Sequence, residues 1–232
     1  MTVEKPGSGT MAKDVLDRME NAGVIPIVVI EDPSKVVPLG RAILDGGLDL
    51  VEITMRTPRA MEAVRVASKE LPEMLVGAGT VFSVTVAKEA LSAGARFIVS
   101  PHLDEDIVAY CAERNVVSIP GVFTPSEVQR AIEAASRGTP PRSISDLPLV
   151  AKIFPASTGG PDHIAAMRAV FPDVRFLPLG GVNAGNLAEY IRAGAWAVGG
   201  TWLCKRELIE TGNFPKISEL IKEALRIIAS TK

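Results

Sequence analysis

Eight short apolar runs, each followed by an amphipathic stretch, limit what this chain can fold into before any single residue is considered. The runs span residues 24–30, 50–54, 75–80, 97–100, 117–120, 149–154, 175–180 and 196–201. They are near-continuous in apolar residues, as strands are when both faces of a parallel sheet are covered. Between them, residues 33–45, 58–70, 84–93, 104–114, 125–135, 161–170 and 186–193 repeat apolar positions at three- and four-residue spacing, the mark of a helix with one core face. Helix starts carry an N-cap residue followed by proline at Asp32-Pro33, Thr57-Pro58 and Thr124-Pro125. Helices stop at the glycines after Asp45, Ala93 and Ala193, since glycine accepts the left-handed backbone that closes a helix. Eight strand–helix units in 232 residues fit a single α/β domain, a compact (β/α)8 TIM barrel with an N-terminal helix. Alternation alone leaves a doubly wound open sheet as the other architecture.

Several function classes are excluded early. The net charge is -2 with no basic block, so nucleic acid is not an expected partner. No apolar run reaches the roughly 18 residues that would suggest a membrane span. Residues 1–10 are polar and glycine-rich without the apolar segment of a secretory signal, and are expected to form a flexible tail before a barrel domain over residues 11–232. Cys111 and Cys204 lack metal-ligand spacing, and two isolated thiols fit a reducing cytoplasm better than a disulfide framework. With His102 and His163 the only histidines, no metal site or Ser-His-Asp triad is expected. One polar, proline-rich stretch, residues 136–146, breaks the rhythm. It leads from a helix into a strand and so belongs on the face of a barrel opposite the chemistry.

Of the ten lysines, Lys152 alone falls inside a predicted strand, flanked by Leu149-Val150-Ala151 and Ile153-Phe154. A buried amine is costly when charged, so burial lowers its pKa, and a neutral amine is a nucleophile. The two readings are a Schiff-base lysine and a strand-end lysine that snorkels or pairs. Glu52 is the acidic residue deepest in a predicted strand, and alternation puts it on one face with Thr54. It reads as a general acid/base or as an ion-pair partner, with Lys152 the natural candidate. Arg56, at the exit of that strand, can grip a carboxylate in bidentate fashion. In Val76-Gly77-Ala78-Gly79-Thr80 the small residues are expected to let a substrate approach the backbone, with Thr80 offering a hydroxyl at the rim. That string lacks the full dinucleotide fingerprint. The seventh and eighth strands end in glycine pairs, Gly180-Gly181 and Gly199-Gly200, which suit a phosphate held by backbone N–H groups at the two strands where barrels place one.

The strings Glu52-Ile53-Thr54-Met55-Arg56-Thr57, Gly77-Ala78-Gly79-Thr80-Val81, Ser100-Pro101, Ile119-Pro120-Gly121, Lys152-Ile153-Phe154-Pro155-Ala156, Gly180-Gly181-Val182 and Gly199-Gly200-Thr201-Trp202-Leu203 occur in one order across most of the chain. In this the sequence resembles the class I aldolases of the 2-keto-3-deoxy-6-phosphogluconate (KDPG) and 4-hydroxy-2-oxoglutarate (KHG) family. The resemblance implies a (β/α)8 barrel, usually a homotrimer, that cleaves KDPG to pyruvate and glyceraldehyde 3-phosphate without metal or other cofactor. It implies Lys152 as the Schiff-base lysine and Glu52 as the proton shuttle. Arg56 and Thr80 would hold the pyruvyl carboxylate, Pro101 and Phe154 would line the pocket, and Gly180, Gly181, Gly200 and Thr201 would bind phosphate. Three departures stand out. Thr201 replaces a more usual serine, Leu179 replaces a more usual threonine, and the 136–146 loop is long, which bears on assembly. Two other functions are weighed: a sugar-phosphate isomerase or epimerase in which Lys152 only stabilises an enolate, and a non-catalytic barrel that binds a phosphorylated ligand. The latter would be expected to lack Glu52 or Lys152.

Overall fold

The computed structural model describes residues 10–137 and 141–231. Eight parallel strands curl into a barrel. They are β1 (Val24–Val28), β2 (Leu50–Thr54), β3 (Leu75–Gly79), β4 (Phe97–Val99), β5, β6 (Ala151–Ile153), β7 (Phe176–Pro178) and β8 (Val198–Gly200). β5 comes in two pieces, Val117–Ile119 and Gly121–Val122, because Pro120 has no N–H to give the ladder. Its carbonyl still accepts the Lys152 N–H at 3.0 Å.

Barrel and open sheet are distinguished at the ends of the strand order. β1 pairs not only with β2 but with β8, in the register Val24↔Val198 and Ile25↔Gly199. The first piece of β5 continues the sheet from β4, and its second piece pairs β6, which pairs β7. The Trp196 N–H donates to the Phe176 carbonyl at 2.9 Å, linking the approach to β8 with β7. The sheet therefore closes, and the doubly wound alternative is excluded.

Among the described residues ten α-helices flank or cap the barrel: α1 (Thr10–Ala22), α2 (Val36–Gly46), α3 (Ala60–Glu70), α4 (Val84–Ser92), α5 (Glu105–Ala112), α6 (Pro125–Ala135), α7 (Ala156–Val170), α8 (Leu187–Arg192), α9 (Arg206–Glu210) and α10 (Phe214–Thr231). The expected signals act at several ends. Asp32 accepts the Ser34 N–H, and Thr124 with Glu127 forms a reciprocal capping box before Pro125. Gly47, Gly94 and Gly194 take positive φ just past α2, α4 and α8. Thr57-Pro58 does not cap a helix. The Thr57 hydroxyl instead donates to the Ile30 carbonyl of the neighbouring β1 loop, and α3 starts later, at Ala60. α7 also starts earlier than the pattern at Pro161 suggests: a first turn from Ala156 is broken at Gly160 (φ 66) before the run resumes. α10 buries Ile217, Ile221, Ala224 and Ile228 along one stripe, each large aliphatic worth roughly 1.5–3 kcal/mol of burial. Gly46 lets it approach α2, because a Cβ there would sit 2.8 Å from Ile221.

α1 closes the bottom of the barrel. Arg18 donates to the side chain and carbonyl of Asp49 and to the carbonyl of Glu73, at the entries of β2 and β3. The end of the 136–146 stretch lies on this face too: Arg175, at the entry of β7, donates to the Ser145 carbonyl at 2.7 Å. Residues 138–140 of that stretch, and residues 1–9 of the expected tail, lie outside the described residues, while Thr10 already begins α1. Cys111 and Cys204 are free and buried; burial pushes the Cys111 thiol up to about 12 and the Cys204 thiol up as well, which leaves both unreactive.

Candidate active site

Pairing fixes which side chains share the barrel interior, since directly opposed residues in a parallel ladder point the same way. The chain of partners Ile27↔Glu52↔Gly77↔Phe97↔Val117 runs around one half. Gly121↔Lys152↔Leu177 runs around the other. Glu52 and Lys152 thus face one another across the barrel. They are 3% and 4% exposed, and among the described residues they are the sole charged side chains in any strand.

Each group's environment favours its neutral form. Burial pushes the Glu52 carboxyl above its usual range, opposed by the positive charges of Lys152 and Arg56. Burial pulls the Lys152 amine below its usual range, opposed by Glu52 and assisted by Arg56. The two act on one another's charge without a direct ion pair within 4.0 Å. The simple ion-pair reading of Glu52 therefore does not describe this site. The Lys152 Nζ lies 4.8 Å from the centre of the Phe154 ring, whose face favours a cation at that nitrogen, whether ammonium or protonated imine.

The rim residues are placed around this pair. Arg56 Nε donates to the Thr80 hydroxyl at 3.2 Å, so β2 and β3 present the guanidinium and the hydroxyl together. Thr80 stands at φ 59, a left-handed conformation that costs a non-glycine residue about 1–3 kcal/mol. The Pro101 carbonyl passes 2.3 Å from where a Cβ of Gly121 would be, and Gly121 is the register partner of Lys152. Phe154 reaches from Lys152 to the β7 exit: a Cβ on Gly180 would lie 3.1 Å from its ring.

Gly180 and Gly181 both have positive φ, 90 and 92 degrees. Their carbonyls hold the turn. Gly180 accepts the Ser157 N–H at 2.9 Å, and Gly181 accepts the side-chain amides of Asn183 and Asn186 at 3.2 and 3.0 Å. Among the described residues their own N–H groups, with that of Thr201, meet no protein acceptor. Backbone donors left open beside one another suit an anion. Ser157, Asn183 and Asn186 shape this turn, and the sequence signal for it is weak, Asn183 standing two residues after the glycine pair.

Two expectations need correction. The glycines of β3 do not clear a path for substrate. A Cβ on Gly77 would strike the Phe97 ring at 2.1 Å, and one on Gly79 would strike the Glu52 carboxylate at 1.8 Å, so neighbouring strands fill that space. Gly199-Gly200 does end β8, but it is buried against β1 and not open for a phosphate. The room beside Gly199 is taken by Leu179 and Ile27. Only Thr201, exposed at the strand exit, is at the rim. Among the described residues no group of three or more His, Cys, Asp and Glu is placed to hold a metal ion.

The sequence pattern of the family described as KDPG and KHG aldolase matches residues 15–220. The chain belongs to that family. It is 37% identical to the 2-dehydro-3-deoxy-phosphogluconate aldolase of Treponema pallidum (strain Nichols), over 92% of this chain and 97% of the other. The KHG/KDPG aldolase of Escherichia coli (strain K12) is 33% identical over 87% of this chain and 90% of its own. Among solved structures, KDPG aldolase from Legionella pneumophila, with pyruvate captured as a covalent carbinolamine, superposes with a TM-score of 0.81 at 30% identity, covering 95% of this chain and 99% of that one. The Zymomonas mobilis ZM4 enzyme with 3-phosphoglycerate gives 0.77 at 32% identity, covering 92% and 95%. The family read from the motif strings is the family found, and so is the barrel.

Proposed function

We propose that this protein is a Schiff-base aldolase that cleaves KDPG to pyruvate and glyceraldehyde 3-phosphate. The observation that carries the reading is the pair Lys152 and Glu52, two buried groups of opposite type, each pushed toward neutrality in a barrel whose strands hold no other charged side chain among the described residues. Family membership and the carbinolamine captured in the Legionella relative support it.

In this reading the neutral Lys152 Nζ attacks the C2 carbonyl of the keto acid. The carbinolamine loses water and becomes a protonated imine. Glu52 takes the proton of the C4 hydroxyl, the C3–C4 electron pair moves into the imine, and the aldehyde leaves behind a neutral enamine. The enamine takes a proton at C3, and hydrolysis of the imine releases pyruvate. Arg56 and Thr80 grip the carboxylate. Pro101 and Phe154 wall the imine. Gly180, Gly181, Gly200 and Thr201 form the phosphate end, with the open amides of Gly180, Gly181 and Thr201 as donors. The chemistry proceeds through the lysine imine without a metal. We take the catalytic domain to span residues 11–232, the compartment to be the cytoplasm, which two isolated thiols fit, and the assembly to be a homotrimer, as the family resemblance implies. Among the described residues no helix is long and apolar enough to cross a membrane.

Pyruvate release, followed with KDPG, its galactonate epimer and 4-hydroxy-2-oxoglutarate, should give the highest kcat/KM with KDPG. Cleavage of none of the three would overturn the assignment. Reductive trapping of pyruvate should also depend on pH in a definite way. Burial lowers the Lys152 pKa from the ordinary 10.5, so the nucleophilic fraction saturates early. The trapping rate should reach its plateau below 10.5, and a rate still climbing through that value would mark an ordinary surface amine.

A further inference from the structure

We infer that Gly79 is a positioning residue for Glu52: its missing side chain is the space in which the carboxylate sits. The inference rests on the reading of Glu52 as proton shuttle. A Cβ built at position 79 would lie 1.8 Å from Glu52 Oε1, 2.5 Å from its Cδ and 2.7 Å from its Cγ. These are its three nearest neighbours, so the closest conflict is with one side chain and with its reactive end. The geometry follows from the register. Thr54 is the direct partner of Gly79, and Glu52 is the diagonal neighbour one step back on the same face. Its side chain runs along the barrel interior, past Gly77 and into the space beside Gly79.

The backbone at position 79 does not call for glycine. It is a strand residue outside the left-handed region, and L residues adopt that backbone freely. The other glycines of the barrel interior face different neighbours. Gly77 makes room for the Phe97 ring, Gly121 for the Pro101 carbonyl and Gly199 for Leu179. Those are packing contacts. At Gly79 the tenant is the acid/base itself. Thr54, across from it, donates its hydroxyl to the Val28 carbonyl at 2.9 Å, which ties that side chain to β1. The carboxylate lies in the space that Gly79 leaves open.

The test is a double-mutant cycle of Gly79→Ala with Glu52→Ala, read by two measurements. One is exchange of pyruvate methyl protons with deuterated water, which needs the imine and a base but no aldehyde. Gly79→Ala should lower it on the order of a hundredfold, the scale of removing a general base. Borohydride trapping of pyruvate on Lys152 should persist. In the Glu52→Ala background the same substitution should change exchange by less than about twofold, because no carboxylate remains to displace. The other measurement is the melting temperature. Gly79→Ala should lower it in the unmodified protein and leave it unchanged or raised in the Glu52→Ala background. A cost that persists in that background, in exchange or in melting, overturns the inference, as does wild-type exchange in Gly79→Ala alone. Melting needs no catalysis. Failure of the aldolase reading, seen as no trapped imine in the unmodified protein, is therefore distinguishable from failure of this one.

Discussion

Lys152→Ala should abolish cleavage while leaving the fold intact. The substitution removes a buried amine whose charged form is disfavoured by its surroundings, so it creates no new unpaired charge at position 152. Its melting temperature should match or exceed that of the unmodified protein, which separates loss of chemistry from loss of structure. Without the amine there is no imine, and without the imine the C3–C4 electrons have no sink. Lys152→Arg should fail as well, because arginine does not deprotonate in proteins and has no neutral nucleophile to offer. Turnover in Lys152→Ala above about a thousandth of the original would mean that another group carries the electron sink, and the mechanism would need replacing.

Glu52→Gln should have the second largest effect, with a different signature. The amide keeps the shape that fits beside Gly79 and loses the ability to accept and return a proton. Cleavage should fall on the order of a hundred- to ten-thousandfold, the usual range for a general acid/base. Imine formation with pyruvate should continue more slowly, since the Lys152 amine remains. Methyl-proton exchange of pyruvate, followed by NMR, should fall with cleavage. Exchange at the unmodified rate would assign the base to another group. The Glu52 and Lys152 charges act on one another, so a bell-shaped rate profile would report the pair and not either residue alone.

Much of this was legible in the sequence because barrel logic converts spacing into position. Strand alternation put Glu52 on one face with Thr54, and the apolar neighbours of Lys152 announced its burial. What alternation could not provide was the diagonal relation between residues two positions apart on neighbouring strands. Gly79 read as a clearing for substrate because the occupant of its space, Glu52, comes from another strand. Gly199 and Gly200 read as a phosphate site for the same reason: glycine marks a place without a side chain, and only the register shows whose atoms fill it. Thr57-Pro58 shows the opposite limit. A local capping signal gave way to a tertiary hydrogen bond with Ile30. The turn at Gly181, held by Asn183 and Asn186, depends on side chains whose partners are carbonyls, which composition does not reveal.

In the proposed mechanism everything follows from one step, attack of the buried Lys152 amine on the keto group of the substrate. It is tested most directly by incubating the unmodified protein with pyruvate and borohydride, digesting with trypsin and locating the adduct by mass spectrometry. Reduction converts the imine to a stable carboxyethyl-lysine, which trypsin does not cleave. One such group per chain is expected, on a peptide spanning residues 143–168 with its internal lysine uncut. An adduct on any other lysine, or no adduct at all, would contradict it.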